Sequence, residues 1–281
     1  MSQRTDSLAD ILGLESVIQV VDIGANPIDG KAPYVPLLAG GRVKLVGFEP
    51  NLEALAELNR RKGPHETYFP NAVADGRRHT LHVCRAPGMT SLLEPNAALL
   101  AHFHGFPEWG EVLRTEEIET VRLDDVAEIV NLDYLKIDIQ GGELMVFQHA
   151  TDKLSTCTII QTEVEFLPMY RNQPLFSEVE TFLRGLGFAL HKFEQLTTRA
   201  VKPLLVGGSI FGGLGQVFWA DAVFVRDFTR LDLLSDEKLR NAALVLHDVY
   251  KSYDLVEHFL VEHDRRAGTT FSATYMDALS R

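Results

Sequence analysis

The chain has 281 residues, 46% of them hydrophobic, which is enough to bury a full core in one large domain or in one domain with an appendage. Lys and Arg number 27 against 39 Asp and Glu, giving a net charge of −12, and no basic run is longer than residues 60–62. This balance disfavours binding along a phosphate backbone, so we expect no nucleic-acid partner.

The cysteine content and the hydropathy of the chain indicate the cellular compartment in which the protein is expected. Cys84 and Cys157 are too few and too far apart for a disulfide framework or a zinc cluster, so we expect two reduced thiols in the core. Residues 1–6 are polar, and no apolar run approaches the roughly 20 residues that a membrane span needs. The sequence therefore predicts a cytoplasmic protein without a membrane span.

The first predicted elements are a short helix over residues 7–14 and a strand over residues 17–23. The strand is a mostly β-branched run, which is typical of a strand buried on both faces in a parallel sheet. Gly24 ends it, and a residue without Cβ lets the backbone pass close to a ligand. Asp22 presents an acceptor at the same carboxyl end, where open α/β sheets bind their ligands.

A second strand over residues 43–48 ends at Glu49 as the first ends at Asp22. In dinucleotide folds an acid about 20 residues beyond the glycine turn binds the two hydroxyls of a ribose, and Glu49 lies slightly farther than that from Gly24. Pro50 suits the first turn of the helix that follows. We interpret the two strand ends as a nucleotide-binding cradle; the alternative is that both acids only cap turns.

Residues 67–69 and 80–84 predict short strands on either side of a turn at residues 71–76. Ala72 belongs to this turn, over which we expect the adenine of the nucleotide to lie. From residue 86 onwards the periodicity weakens, and prolines, histidines and a tryptophan accumulate. We interpret residues 86–120 as a lid-like insertion over the site, since long connections in compact domains often bind ligands; a purely structural loop is the alternative.

Two further buried strands are predicted over residues 133–139 and 157–163, and each carries an acid near its carboxyl end. Asp138 and Glu163 would lie at the same edge of the sheet, where they could converge on an acceptor hydroxyl or on a divalent metal. Glu143 follows at the start of the next helix. The alternative is structural: Asp138 caps that helix, and Glu143 is a first-turn acid favoured by the helix dipole.

The chain continues with a helix over residues 174–187 and strands over residues 188–193 and 219–226. Between those two strands lies the glycine-rich stretch 207–215, which precedes a strand rather than a helix and so lacks the geometry of a phosphate-binding loop. We expect this stretch to be a mobile loop on the substrate side.

Only helical spacing follows residue 228. A helix begins after Ser235 and continues to about residue 260, with an apolar face that would either dock onto the domain or form a subunit interface in a homo-oligomer. The tail after Gly268 is expected to be loosely held. We therefore divide the chain into a ligand-binding domain of residues 1–228 and a helical appendage of residues 229–281.

Four motifs together resemble the FkbM family of S-adenosylmethionine-dependent methyltransferases, over roughly residues 17–226. They are Val-Asp-Ile-Gly-Ala-Asn at 21–26, Gly-Phe-Glu-Pro-Asn at 47–51, Thr-Ser-Leu at 90–92 and Leu-Lys-Ile-Asp-Ile-Gln-Gly-Gly-Glu at 135–143. The resemblance implies a doubly wound, Rossmann-like α/β sheet, mostly parallel with one antiparallel strand near its edge, which here would be residues 219–226. It also implies S-adenosylmethionine as the cofactor.

Two departures from the family pattern bear on the chemistry. Gln140 stands where the family usually has Glu, which concerns the acceptor side of the site. Asn26 and Pro27 replace the second glycine of the general methyltransferase signature, which bends the cofactor turn.

We accordingly expect one set of residues to bind the cofactor and another to act in catalysis. The cofactor-binding set is Asp22, Gly24, Ala25, Asn26, Glu49, Pro50, Asn51, Ala72 and Asp138. The catalytic set is Asp138, Glu143 and Glu163. A metal ion is not predicted, although a divalent metal beside the acids is an alternative that the sequence leaves open.

The family resemblance implies O-methylation, here of a hydroxyl on a sugar, a glycan or a glycosylated small molecule. A nicotinamide-dependent dehydrogenase would use the same strand-turn-helix arrangement, but its three-glycine fingerprint is missing. A non-catalytic binding module would keep the cradle without turnover, and Gln140 is the feature that hints at it.

Overall fold

The computed structural model describes residues 7–26 and 30–280, which form an α/β fold around a seven-stranded sheet. The strands are, in chain order, β1 (Ile18–Ile23), β2 (Val43–Phe48), β3 (Glu66–Phe69), β4 (Ala72–Val73), β5 (Arg78–Cys84), β6 (Val112–Val121), β7 (Tyr134–Ile137), β8 (Ile159–Glu165), β9 (Phe188–Thr198) and β10 (Val217–Arg226). The helices are α1 (Leu8–Leu12), α2 (Val35–Ala39), α3 (Leu52–Arg61), α4 (Ala97–Leu100), α5 (Phe106–Trp109), α6 (Glu143–Gln148), α7 (Thr151–Thr156), α8 (Phe176–Gly185), α9 (Asp236–Asp248), α10 (Tyr253–Ala267) and α11 (Phe271–Leu279).

The large sheet confirms the expected architecture. Its strand order is β3-β2-β1-β7-β8-β10-β9, and the first five strands pair in parallel, whereas β10 is antiparallel to both of its neighbours. The antiparallel strand near the edge is the one expected over residues 219–226. Every residue of β1 is buried, which explains why most of its residues are β-branched.

A second sheet, of order β4-β6-β5, contains a strand that the sequence does not reveal. β6 begins within the segment interpreted as a lid-like insertion, ends one residue beyond it and pairs antiparallel with β5. Most residues of β6 are exposed, so the strand lacks the alternation of apolar and polar residues that marks a half-buried strand. The interpretation of residues 86–120 as a lid stays a prediction.

Helices cover both faces of the large sheet. On one face α6, α7 and α8 pack in a core that includes Val21 and Ile23 of β1. On the other face α1, α9 and α10 pack in a core that includes Ile18 and Val20 of the same strand, together with Tyr134 of β7. Neighbouring residues of one strand thus belong to different cores, because successive side chains point to opposite faces.

The C-terminal region differs from the expected single long helix and loose tail. The helix that begins after Ser235 is interrupted at residues 249–252, where Lys251 adopts a φ of +54°, and a second helix follows. In α11 the Tyr275 side chain is fully buried, and its hydroxyl lies 3.0 Å from His247 Nδ1. The expectation of a loose tail is wrong because this aromatic side chain anchors α11 to α9.

The helices after residue 228 share one apolar core with α1, β1 and β7, so they are packed along one face of the sheet. The assignment of residues 1–228 and 229–281 to separate domains stays a prediction. Within the described ranges, no helix combines the length and the apolar character needed to cross a membrane.

Candidate active site

A polar stripe crosses one face of the large sheet at its carboxyl edge. On β1, Ile18 and Val20 face the C-terminal helices and are followed on the same face by Asp22, since alternate residues of a strand share a face. On β7, Tyr134 is followed in the same way by Lys136. The stripe lines a cleft of about 820 Å³, which is within the usual size range of ligand pockets.

Gly24 makes the turn after β1 with a φ of +80°, a conformation that favours glycine. A Cβ at this position would overlap the carbonyl oxygen of Asp138, so the turn packs directly against the loop after β7. The amides of Gly24 and Ala25 both donate to the Phe48 carbonyl at 3.1 Å, which connects the turn to the end of β2. The ends of β1, β2 and β7 are therefore adjacent, as a nucleotide-binding cradle requires.

Glu49 lies at the end of β2 and is 5% exposed. Its Oε1 accepts from the Asn51 amide at 2.7 Å, and the Asn51 side chain caps α3 by accepting from the amides of Glu53 and Ala54. Burial raises the pKa of Glu49, and hydrogen bonds from the backbone amides of Asn51 and Asn26 partly offset this. A buried carboxylate beside a glycine turn fits the ribose of an adenosyl cofactor.

The expected cofactor residues fall into two groups relative to the cleft. Those that line it are Asp22, Ala25, Asn26 and Asp138. The other residues lie outside the lining of the cleft, at the turn after β1, the end of β2 and the start of β4. They are Gly24, Glu49, Pro50, Asn51 and Ala72. Pro27, part of the second departure from the family pattern, lies outside the described residues.

Lys136 is a cleft residue that sequence reasoning missed. Its Nζ lies 3.3 Å from Asp22 Oδ1 and donates to the Gly24 carbonyl at 3.1 Å, and the Tyr34 hydroxyl donates to Asp22 Oδ2 at 2.5 Å. Burial raises the pKa of Asp22, and Lys136 acts against that rise. Burial acts to lower the pKa of Lys136, but Asp22 and Asp138 raise it overall, so the lysine stays charged. The sequence feature that could have identified Lys136 as a site residue is its position inside an otherwise apolar strand.

Gln140 joins the two acids expected on the acceptor side. Its Nε2 donates to Asp138 Oδ1 and to Glu163 Oε2, both at 2.9 Å. Its Oε1 accepts from the Tyr170 hydroxyl at 3.2 Å, and its backbone carbonyl accepts from the Ser91 hydroxyl at 2.7 Å. With a φ of +63° and these bonds, the residue that departs from the family pattern is a fixed bridge between Asp138 and Glu163.

Glu143 is 2% exposed and lies behind the loop that carries Asp138 rather than along the cleft. Its Oε1 accepts from the Ile139 amide at 2.8 Å, which braces that loop. Burial raises the pKa of Glu143 to about 7, and backbone amides that donate to its carboxylate partly offset the rise. The helix α6 begins after Gly142 without a side-chain cap, so Asp138 does not cap it.

Glu163 lies opposite Asp221 in the register of β8 and β10, and both residues line the cleft. Burial raises the pKa of Glu163 well above its usual range, and the nearby carboxylates of Asp138 and Glu165 raise it further. Glu163 therefore holds its proton more readily than an exposed glutamate does.

The far wall of the cleft comes from β9, β10 and the segment before β6. Its residues are Met89, Phe106, Trp109, Glu194, Gln195, Arg199, Trp219 and Asp221. The Arg199 guanidinium lies over the Trp219 ring, 4.6 Å from the ring centroid. Residues 86–120 were expected over the site, whereas the part of this wall that comes from β9 and β10 was missed, because antiparallel pairing brings together segments that carry no local motif.

The model of a family described as the methyltransferase FkbM domain matches residues 22–190, more than half of the chain. The chain belongs to this family. It is accordingly an S-adenosylmethionine-dependent methyltransferase, and the cofactor and the class of enzyme expected from the motifs are confirmed. No match was found among curated proteins.

Solved structures similar to this FkbM-family methyltransferase share little sequence with it. The magnesium protoporphyrin IX methyltransferase of Synechocystis PCC 6803, with bound S-adenosylmethionine, is 11% identical; the match covers 78% of this chain and 76% of that chain with a TM-score of 0.39. A variant of the 16S rRNA (adenine(1408)-N(1))-methyltransferase of Catenulisporales acidiphilia is 12% identical, and the match covers 78% of this chain and 89% of that chain with a TM-score of 0.38.

A metal site was left open by the sequence of this methyltransferase. Among residues 7–26 and 30–280, no group of three or more His, Cys, Asp and Glu side chains is arranged to hold a metal ion. A divalent metal stays an alternative to direct proton transfer at Asp138 and Glu163.

Proposed function

We propose that this methyltransferase transfers a methyl group to a hydroxyl of a sugar, either within a glycan or on a glycosylated small molecule. The observation that carries the proposal is the composition of the cleft beyond Asp138. Glu194, Gln195, Arg199 and Asp221 have planar polar side chains that can bond two neighbouring hydroxyls at once. The tryptophan rings beside them offer apolar surface to the C–H groups of a sugar ring.

For the cofactor, we assign the turn after β1, the end of β2 and the start of β4. The residues of this assignment are Asp22, Gly24, Ala25 and Asn26 at the turn, Glu49, Pro50 and Asn51 at the ribose, and Ala72 at the adenine. S-adenosylmethionine supplies a methyl group that its positive sulfonium already activates. The protein mainly has to hold the acceptor hydroxyl in line with that group and to exclude water.

On the acceptor side, we assign Asp138 as the group that accepts the hydroxyl proton, because it lines the cleft and Gln140 holds its carboxylate. Glu163, whose pKa is raised, is assigned to hold a sugar hydroxyl by donating or accepting a hydrogen bond. Glu143 acts through the loop: it bonds the Ile139 amide and so positions Asp138.

Transfer of a labelled methyl group tests this proposal. The acceptor panel contains free sugars, oligosaccharides, glycosides and non-glycosylated alcohols, with the corresponding deoxy sugars as matched controls. We expect label in one or more sugar-containing acceptors and none in the analogue that lacks the methylated hydroxyl. Label confined to non-glycosylated acceptors, or to nitrogen or carbon, would contradict the assignment of a sugar hydroxyl.

A further inference from the structure

The connection between β9 and β10, residues 199–216, exposes apolar side chains beside the cleft. Between 41% and 60% of each of the following residues is exposed: Val201, Leu204, Leu205, Ile210, Phe211 and Leu214. Single exposed apolar residues are ordinary, whereas a group of them in one loop marks a contact surface.

This loop holds its own shape. The Arg199 amide donates to the Gln216 carbonyl, and the Ala200 amide donates to the Gly212 carbonyl, both at 3.0 Å. The glycines at 207–208 form the tip with positive φ angles. Because main-chain groups at the base of the loop bond to one another, the exposed apolar side chains face outward on an ordered support.

Charge favours an anionic bilayer as the partner of this surface. Within residues 199–216 the charged side chains are Arg199 and Lys202, and there is no acid, although the whole chain carries −12. Lys202 Nζ donates to the Ala101 carbonyl at 2.9 Å, so this cation lies at the base of the loop. The Arg199 guanidinium lies over Trp219 at the cleft, so Lys202 is the cation that this surface offers to headgroups. Apolar side chains beyond a cationic base without acids match a bilayer interface, where the acyl boundary accepts the side chains and anionic headgroups attract the cation.

The loop and the cleft share one wall. The Phe211 ring stacks on Trp109, with centroids 5.4 Å apart and an interplanar angle of 14°. Trp109 itself lines the cleft, as do Arg199 at the base of the loop and the Trp219 ring beneath it. Any partner surface that contacts residues 199–216 would therefore lie next to the opening of the cleft.

We propose that residues 199–216 insert into the surface of an anionic bilayer and thereby place the cleft over the sugar headgroup of a lipid-linked acceptor. This inference rests on the proposed sugar acceptor and adds where that sugar is presented. The bilayer holds the acceptor at the surface, and the loop brings the Asp138 side of the cleft to it.

Vesicle sedimentation tests the membrane contact. The full chain is expected to sediment with vesicles of mixed phosphatidylcholine and phosphatidylglycerol, and less with phosphatidylcholine alone. Leu204→Ser combined with Leu205→Ser should weaken binding by roughly tenfold or more, because two leucines leave the acyl boundary. The matched control combines Val130→Ser with Leu233→Ser, which are 76% and 71% exposed at the opposite edge of the sheet, and it should bind like the full chain. No binding by the full chain, or equal loss in both variants, would overturn the proposal.

Tryptophan fluorescence gives a second measurement. The two tryptophans of the chain, Trp109 and Trp219, both lie beside the loop, so their emission should shift to shorter wavelength when anionic vesicles are added to the full chain or to the control. The loop variant should show no shift. If the full chain instead self-associates without binding vesicles and the loop variant is monomeric, the loop is a contact with a second copy, and the bilayer proposal is wrong.

Activity separates this inference from the proposed function. The same sugar is offered as a water-soluble glycoside and as a lipid-linked glycoside in anionic vesicles. We expect faster methylation of the vesicle-bound form by the full chain, and loss of this preference in the loop variant with its rate on the soluble glycoside retained. Equal rates on both forms would overturn the inference and leave the proposed function standing. Vesicle binding without methylation of any sugar would refute the proposed function and the lipid-linked acceptor, but not the membrane contact.

Discussion

Gln140 donates its side-chain amide to Asp138 and Glu163 at 2.9 Å each, so a neutral group lies between two carboxylates. Gln140→Glu would replace both donors by a third acid. Because like charges disfavour ionisation, the added carboxyl should make the cluster of acids that includes Glu163, whose pKa is already raised, ionise at higher pH. We expect the acidic limb of the pH–rate profile to move to higher pH by about one unit or more. An unshifted profile would show that Gln140 has no electrostatic influence on turnover.

Asp138→Asn tests the acceptor side of the site. The asparagine keeps an oxygen for the Gln140 amide but cannot accept the hydroxyl proton, so turnover should fall by roughly a hundredfold or more. Cofactor affinity should stay within a few-fold, because we assign the ribose to the end of β2. Single-turnover kinetics and calorimetry with S-adenosylhomocysteine measure the two quantities separately. A parallel loss of affinity and turnover would assign Asp138 to the cofactor alone.

Glu49→Ala tests the cofactor side. Loss of a buried charged hydrogen-bond acceptor typically costs about 1.5–3 kcal/mol, or roughly ten- to a hundredfold in affinity for S-adenosylhomocysteine. Calorimetry measures this change, and circular dichroism controls for folding, because Glu49 also accepts from the Asn51 amide beside α3. Unchanged affinity in a folded variant would remove Glu49 from the site.

At the scale of elements, the helices after residue 228 connect the sheet to the cleft. The Tyr250 hydroxyl donates to Gln161 Oε1 at 2.9 Å and lies 2.7 Å from the Tyr134 hydroxyl. Gln161 and Tyr250 both line the cleft. The C-terminal segment therefore contributes to one wall of the candidate site as well as to the core.

Truncation after Phe228 tests this contribution. The shortened chain would expose the sheet face that includes Ile18, Val20 and Tyr134, so we expect it to lose cooperative thermal unfolding and to aggregate. Calorimetry and light scattering measure both properties. A chain ending at Ala267, which lacks only α11, is the graded control and should retain a transition at lower temperature. A monodisperse, cofactor-binding chain ending at Phe228 would show that these helices are a dispensable appendage.

The docking of α9 accounts for the apolar face predicted after Ser235, because that face packs on the sheet. A homo-oligomer through the C-terminal helices stays a proposal. Val261 and Met276 on α10 and α11 are the large apolar residues there that remain exposed, at 50% and 45%. Light scattering of the full chain at several concentrations tests it.

At the scale of the whole molecule, buried acids make stability depend on pH. Because the pKa of Glu143 is about 7 in the folded protein and 4.5 is its ordinary value, the folded protein holds a proton that the unfolded chain releases between these values. This contribution to the free energy of unfolding is fully present below pH 4.5 and is lost as the pH rises to about 7. Burial raises the pKa of Glu163 and Glu165 as well, so their contributions have the same sign.

Glu143→Gln removes one of these titrating groups. In the parent chain the free energy of unfolding should decrease between pH 4.5 and 7. In the variant this decrease should be smaller by on the order of 1–3 kcal/mol, because one pKa unit corresponds to about 1.4 kcal/mol. Urea unfolding at a series of pH values measures the difference. The exposed Glu128→Gln is a matched control, since it neutralises a carboxyl on the surface. Identical pH dependence in the parent chain and Glu143→Gln would contradict the raised pKa.

Local sequence determined much of the fold. Two short stretches carry the signals: the β-branched run with Asp22 and Gly24 at the end of β1, and Glu49 at the end of β2. Burial on both faces of a parallel sheet demands such runs, and a tight turn against Asp138 demands a residue without Cβ. The cradle at the ends of β1 and β2 could therefore be predicted from local sequence, whereas the cofactor class and the antiparallel strand near the edge followed from the resemblance to the family.

Tertiary structure alone decided how the candidate site is completed. Asp138 and Glu163 were identified as candidates, but their connection through Gln140 depends on side-chain directions that no spacing specifies. Glu143 turned behind the loop to the Ile139 amide, because a buried carboxylate needs donors. The wall from β9 and β10, the exposed strand β6 and the anchored helix α11 depend on contacts between distant segments. Such contacts leave no periodic pattern in the sequence, since their free energy is gained only when the whole chain has folded.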